Sequence, residues 1–307
     1  MDNYQVIIIG GGPAGLTAGL YTSRAHLKTV LLEAMIPSGQ AYMAESVENY
    51  PGFPDGISGK ELIEKFIQQA TKFGLEIQQF TKVEKIEVAG EKKIVISGEK
   101  RLSTTAIIIA SGAQANKLGV PGEEEFTGQG VSYCATCDGA FFEDQEVAVV
   151  GGGDTAVEDA LYLTRIVRKV FLIHRRDSLR AQKILQNRAF ADSKIEFMWD
   201  TVVKEIKSKD MERILILENI KNSRQNELAV QGVFIAIGQR VNVDFVQGLV
   251  EMDKNGYITT DQNCTTSVPG IFAAGDVRKK GLRQITTAVG DGALAASSAE
   301  KYIESIT

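Results

Sequence analysis

The sequence holds only three cysteines, two histidines, one tryptophan and six prolines in 307 residues. So few cysteines exclude the disulfide framework of a small secreted fold, and in a reducing compartment they point to redox or metal chemistry instead. Neither sign of charge dominates, since 34 basic and 39 acidic side chains leave −5, and the basic footprint that nucleic acid or an anionic membrane requires is missing. No apolar run approaches the ~20 residues of a membrane span, and residues 1–9 lack the basic start and apolar stretch of a secretory signal. A cytoplasmic protein with no nucleic-acid or membrane partner is therefore expected. What is present, 44% apolar and 24% charged residues with 30 glycines, is the composition of a globular enzyme of two domains or one large one.

The chain opens with strand, glycine turn, helix and strand. Val6-Ile7-Ile8-Ile9 is a β-branched run suited to a parallel strand buried on both faces, and Gly10-Gly11-Gly12-Pro13-Ala14-Gly15 follows at once. A helix is expected from Pro13 to about Ala25, then a strand from Lys28 to Glu33. The same unit recurs: Val147 to Val150, then Gly151-Gly152-Gly153-Asp154-Thr155-Ala156, a helix to about Ile166, and a strand from Lys169 to Ile173. A repeat from Gly10 to Gly151 is domain-sized, so two Rossmann-like dinucleotide-binding domains of α/β class are implied. After a strand at Ala106 to Ala110, Gly and Pro punctuate residues 116–122, a plausible boundary, and strand-like runs follow at Arg213 to Leu217 and Gly232 to Ile237. The tail carries Ile271 to Asp276 and an alanine-rich helix from Val289 to Ile303. It is too short for a domain, and completes the first domain's sheet most economically, which makes the second domain an insertion into the first. The expected division is 1–116 with 245–307, and 117–244. Glu61 to Phe73 adds one amphipathic helix for core packing.

Each turn matches G-x-G-x-x-G/A, as Gly10, Gly12 and Gly15, and as Gly151, Gly153 and Ala156. Glycines are required where a tight turn brings backbone against a pyrophosphate, which then sits on the N–H groups opening the helix, here at Pro13-Ala14 and at Asp154-Thr155. The ends of the following strands separate the two ligands. Glu33 stands where a carboxylate accepts from both hydroxyls of an adenosine ribose, so the first site suits FAD or NAD. The second has no acid there but His174-Arg175-Arg176, with Arg180 nearby; guanidinium forks match phosphate oxygens, so NADPH is expected.

Cys134-Ala135-Thr136-Cys137-Asp138 lies just ahead of the second turn. Half a zinc site is the alternative to a redox dithiol, but it lacks two ligands, with only Cys264, His26 and His174 left to supply them. Lone Cys264 reads as a small buried residue.

With these motifs the chain resembles the low-molecular-weight, bacterial-type thioredoxin reductases along essentially its whole length. The resemblance is carried by GGGPAG at 10–15, SGQ at 38–40, ENYPGF at 48–53, CATCDG at 134–139, GGGDTAVEDA at 151–160, HRRDSLRA at 174–181, GIFAAGDV at 270–277 and RQITTAVGDGALAA at 283–296. Ala110-Ser111-Gly112 departs slightly, where the family usually has Thr in the middle. The resemblance implies an NADPH-dependent flavoprotein in which the first domain binds FAD and the second NADPH. Gly39, Gln40 and Asn49 would line the flavin, with Gly275-Asp276 on its ribityl chain and Arg283-Gln284 at its ring. Hydride would pass from NADPH to FAD, then to a Cys134–Cys137 disulfide, and thiol exchange would reduce thioredoxin. By the family pattern Cys137 faces the flavin, Cys134 is the exposed thiol that attacks the partner, and Asp138 is the acid/base. A homodimer is implied by the resemblance alone.

Three other readings are weighed. The flavoprotein subunit of a peroxide-reducing system carries an extra N-terminal thioredoxin-like region, whereas the fingerprint here starts at Gly10. A flavin-dependent dithiol oxidase would not need the arginines at 175 and 176. A non-catalytic nucleotide sensor would leave the dithiol idle. Because the dithiol and the nicotinamide-binding turn share one domain while the flavin belongs to the other, turnover is also expected to require the domains to rotate.

Overall fold

A computed structural model describes residues 2–35, 39–44, 46–210 and 212–306. The chain divides into two compact units, residues 1–114 with 240–307, and residues 115–239. The first unit is thus assembled from both ends of the chain. Its division points fall slightly before the 116/117 and 244/245 positions suggested by the Gly-Pro punctuation and the tail. The physical reason lies in the connecting strands, Ala113–Ala115 and Gln239–Val241, which pair with each other. Val241 and Val243 then continue into the apolar core of the first unit.

The first unit is built on a seven-stranded sheet. Glu76–Gln78, Thr29–Leu32, Asp2–Ile9 and Lys100–Ile109 run parallel, followed by the antiparallel pair Lys92–Ser97 and Lys85–Ala89. Lys100–Ile109 is shared along one edge: residues 100–104 pair with the antiparallel neighbour, and 107–109 with the parallel tail strand Ile271–Ala273. The tail therefore does complete this sheet. Alternation decides the layers. Val6, Ile8, Leu31, Ile108 and Phe272 pack one core with the helices, while Ile7, Ile9, Val30, Leu32, Ile107 and Ile109 face the tail's Val246 and Ile258. Each fully buried Ile or Leu among them contributes roughly 1.5–3 kcal/mol over exposure.

Three helices cover the first of these faces. Pro13–Arg24 ends where expected. Gly59–Lys72 starts slightly earlier than the amphipathic pattern suggested, because Ser58 Oγ accepts the Glu61 N–H at 3.2 Å and caps it. The last, Ile285–Ile306, begins before the expected Val289. Its Ile-Thr-Thr start has weak helix propensity, but Thr287 Oγ1 takes the Gln284 N–H at 3.1 Å.

The second unit has a five-stranded parallel sheet in the order Ile195–Met198, Lys169–Ile173, Glu146–Gly151, Gly232–Ala236 and Val131–Ser132. Beside it lies an antiparallel meander of Thr201–Lys209, Glu212–Asn219 and Gln225–Val230. Helix Asp154–Leu163 stops before Ile166, since Lys194 Nζ takes the Thr164 and Val167 carbonyls at 2.8 Å each and ends the turn.

Candidate functional site

In the first unit the strand ending at Ile9 enters the turn through Gly10, at φ +109°, where a Cβ would lie 2.4 Å from the Ala110 carbonyl oxygen. A Cβ on Gly15 would lie 1.8 Å from Gly10 O, so turn and helix touch backbone to backbone. Gly12 differs: among the described residues nothing stands within 4 Å of the position its Cβ would take. Helix Pro13–Arg24 starts at that opening with Pro13 leading, no side-chain cap and no acid in its first turn, an arrangement that suits an anion. Glu33 closes the turn from below, Oε2 accepting the Gly11 N–H at 2.6 Å and Oε1 the Met35 N–H at 3.0 Å.

Residues distant in sequence reach the same turn. Gly39, at φ +81°, would put a Cβ 3.3 Å from the Gly12 Cα, and Gln40 begins a short 3-10 turn; Ser38 lies outside the described residues. From the tail, Gly275 at φ +79° would put its Cβ 2.8 Å from the Ala14 Cβ, which brings Asp276 to the helix start. Asn49 Nδ2 donates to Gln284 Oε1 at 3.1 Å, and the Arg283 guanidinium lies 4.0 Å over the Tyr257 ring. Asp276 Oδ1 is buried with no aligned hydrogen bond, although Lys280 Nζ is 3.2 Å away.

In the second unit a Cβ on Gly151 would lie 2.6 Å from the Ala156 Cβ, and Gly153 faces open space as Gly12 does. Asp154 accepts the Gln182 N–H at 2.7 Å, and Thr155 is exposed beside it. Arg180 N donates to Gly152 O at 2.7 Å, which pins the arginine segment to the turn. The side chains of Arg175, Arg176 and Arg180 are exposed and make no ion pair among the described residues. His174 sits differently from these arginines. It is 4% exposed, its ring lies where a Cβ on Gly152 would come within 2.3 Å, and its Nε2 has no partner. Burial, and then repulsion from Arg180, Arg176 and Arg175, hold its pKa below the usual histidine range. It acts as neutral packing under the turn.

Cys134 and Cys137 form a disulfide across the short helix Ala135–Asp138, with Cα atoms 5.3 Å apart. Cys137 is exposed and Cys134 partly buried. Asp138 follows directly. Burial raises its pKa, while the Ser132 hydroxyl, donating to Oδ2 at 2.6 Å, opposes that rise. Ser132 Oγ also accepts the Cys134 N–H at 3.0 Å, and so ties acid and disulfide together.

Sequence reasoning missed Ser132, for a serine just before a C-x-x-C carries no pattern of its own. It also missed Glu123, which is 1% exposed and accepts from Leu118 N, Gly119 N and Tyr133 OH at 2.7–2.9 Å. A third group missed is Arg278, Lys280 and Asp291, whose signal was an acid between glycines in an alanine-rich helix. Cys264 is buried, and burial pushes its thiol up to about 11. Among the described residues no cluster of His, Cys, Asp and Glu could hold a metal, and no helix is long and apolar enough to cross a membrane.

Residues 4–292 match the family described as pyridine nucleotide-disulphide oxidoreductase. The thioredoxin reductase of Listeria innocua is 50% identical over 305 residues, covering 99% of this chain and 95% of its own. That of Bacillus subtilis is 48% identical, covering 99% and 96%. Among solved structures, thioredoxin reductase from Streptococcus pyogenes superposes with a TM-score of 0.94 at 50% identity and covers 99% of each chain.

Proposed function

The chain belongs to the thioredoxin reductases of the pyridine nucleotide-disulphide oxidoreductase family, and from that premise we propose how its residues reduce thioredoxin with electrons from NADPH. The observation that carries the reading is a disulfide on the same unit as a glycine turn to which the Arg180 backbone is bonded, in a segment whose three exposed arginines make no ion pair among the described residues. The first unit binds FAD and the second NADPH. Both sites suit a dinucleotide, since Gly12 and Gly153 leave open the ground a Cβ would fill and Asp276 offers a buried, unaligned acceptor. FAD, when bound, supplies the two-electron relay between nicotinamide and disulfide.

Gly10 to Gly15 and Glu33 hold the FAD pyrophosphate and ribose, Gly39, Gln40 and Asn49 line the flavin, Gly275-Asp276 meets the ribityl chain, and Arg283-Gln284 the ring. In the other unit, Gly151, Gly153, Asp154, Thr155 and Ala156 seat the NADPH pyrophosphate. Arg175, Arg176 and Arg180 bind the 2′-phosphate, with His174 supporting them from beneath.

Opening Cys134–Cys137 takes two electrons and yields two thiolates, one of which needs a proton. Asp138 is the group placed to give it, because a carboxyl group raised by burial keeps more of its proton near neutrality than an ordinary one. The Ser132 bridge holds that acid against the Cys134 backbone. Cys134 then attacks the disulfide of thioredoxin, and Cys137 resolves the mixed disulfide by displacing the reduced partner. Its exposure in the oxidised pair is no obstacle, since the first electrons arrive at Cys137. Dithiol and NADPH turn ride on one unit, so the units change their mutual orientation in each cycle. Family membership also supports a cytoplasmic homodimer.

Anaerobic NADPH titration of the purified protein tests the reading. The flavin should bleach stoichiometrically, and added thioredoxin should restore its colour while releasing two thiols. In a parallel aerobic assay, rapid oxygen consumption with no thiol release from thioredoxin would favour a dithiol oxidase instead.

A further inference from the structure

Three of the four tail residues assigned to the ribityl and ring end of the flavin, Gly275, Asp276 and Gln284, trace back to one further side chain. Asp291 lies on helix Ile285–Ile306 between Gly290 and Gly292, and its side chain is 15% exposed. Oδ1 accepts from Arg278 Nη1 at 2.9 Å. Oδ2 accepts from the Gly275 N–H at 3.1 Å and from Lys280 Nζ at 3.2 Å. Lys280 Nζ, on a side chain 11% exposed, is also 3.2 Å from Asp276 Oδ1, and it donates to Thr287 Oγ1 at 3.3 Å. That hydroxyl accepts the Gln284 N–H at 3.1 Å. One carboxylate therefore holds Gly275 directly, Asp276 through Lys280, and Gln284 through Lys280 and Thr287.

We propose that Asp291 is a positioning residue for flavin binding, which sets the Gly275-Asp276 turn and the Gln284 backbone through Lys280. The proposal rests on the reading of Asp276 and Gln284 as flavin contacts. Its electrostatics are specific. Asp276 and Asp291 are balanced by Lys280 and Arg278, so the cluster is neutral as a whole while Asp291, Lys280 and Arg278 are poorly hydrated. Lys280 is shared evenly between two carboxylates. Without the Asp291 charge it would turn wholly to Asp276 and occupy the acceptor the ribityl hydroxyls need. Arg278 is held independently, Nη1 lying 3.0 Å from Cys264 Sγ and Nη2 donating to Asp261 O at 3.0 Å, so it stays in place when Asp291 is altered. Packing leaves the acid little freedom, because a Cβ on the adjacent Gly292 would lie 2.2 Å from Ala14 O. The helix is seated against the start of the dinucleotide-binding helix, and its acid cannot swing away.

The test uses full-length protein stripped of flavin, with Asp291→Asn, which keeps shape and removes charge, and Lys280→Met, which cuts the bridge and leaves the Gly275 bond intact. FAD is titrated into each folded apoprotein, and its dissociation constant is read from flavin fluorescence. The visible bands of the bound flavin are recorded as well. Each variant should bind FAD at least tenfold more weakly and shift the bands, and the double variant should be little worse than the weaker single, since both act through one bridge. A purely structural role would lower the melting temperature of the apoprotein and leave the FAD constant of the folded fraction unmoved. Either folded variant binding FAD with the wild-type constant and spectrum overturns the proposal. Should the wild-type chain itself take up no FAD, the flavin reading falls instead, whatever the variants do.

Discussion

On the proposed reading, replacing Arg175 and Arg176 together by Ala should leave an enzyme that scarcely distinguishes NADPH from NADH. Both side chains are exposed and neither makes an ion pair among the described residues, so their removal takes nothing from the folded state. A surface change of this kind stays within about 0.5 kcal/mol of wild-type stability. Against a bound 2′-phosphate the balance is different. A hydrogen bond to a charged group contributes about 1.5–3 kcal/mol, so two such contacts amount to roughly 3–6 kcal/mol, or about 10²–10⁴ in kcat/KM at 1.36 kcal/mol per decade. The open position of the arginines allows screening, which places the expected loss near the lower end, about a hundredfold. Arg180 remains in the variant, anchored through its backbone to Gly152, and keeps a residue of selectivity. NADH has no 2′-phosphate and should lose no more than about threefold. Steady-state kinetics with both nucleotides at low and high salt read all of this. Salt should raise the wild-type KM for NADPH and hardly move that of the variant. Equal losses with NADPH and NADH, or a melting temperature several degrees lower, would refute the reasoning.

Four further outcomes are expected. In the reduced enzyme a native thiol titration should count two fast groups, with Cys264 silent until unfolding because burial keeps its thiol near 11; Cys137→Ser should trap thioredoxin as a stable mixed disulfide, and full turnover by that variant would sink the assignment. Asp138→Asn should lower kcat by about 10²–10⁴ and abolish the loss of activity with rising pH that deprotonation of the acid causes, a limb displaced above the ordinary carboxylate range. Burial first, and then Glu158, raise Asp159 from 3.8 to about 7, so its stability contribution is complete below pH 4 and lost as pH rises through 7. Asp159→Asn should accordingly gain on wild type by roughly 4 kcal/mol between pH 4 and pH 8, and a gap in urea midpoints that narrows over that range would contradict it.

Much of this protein was legible in its sequence because short-range chemistry dictates it. Gly10, Gly15 and Gly151 are glycines for reasons of backbone contact that any βαβ turn of this kind imposes, and continuous β-branched runs such as Ile107-Ile108-Ile109 can only be strands covered on both faces. The same holds for the opposite charges of Glu33 and of the arginines at 175 and 176, on which the proposed separation of the two nucleotides rests. Tertiary structure decided what depends on neighbours far along the chain. His174 belongs to the arginine motif by sequence, yet folding buries its ring against Gly152 and lowers its pKa, unlike the exposed arginines beside it. Ser132 acquires its role only because the turn brings its hydroxyl to both Asp138 and Cys134. Asn49 meets Gln284 across 235 positions, and Asp291 gathers Gly275, Arg278 and Lys280 onto one carboxylate. No local pattern encodes such contacts, since a carboxylate is a surface group in most helices and becomes a partly buried hub only where residues distant in sequence fold against it.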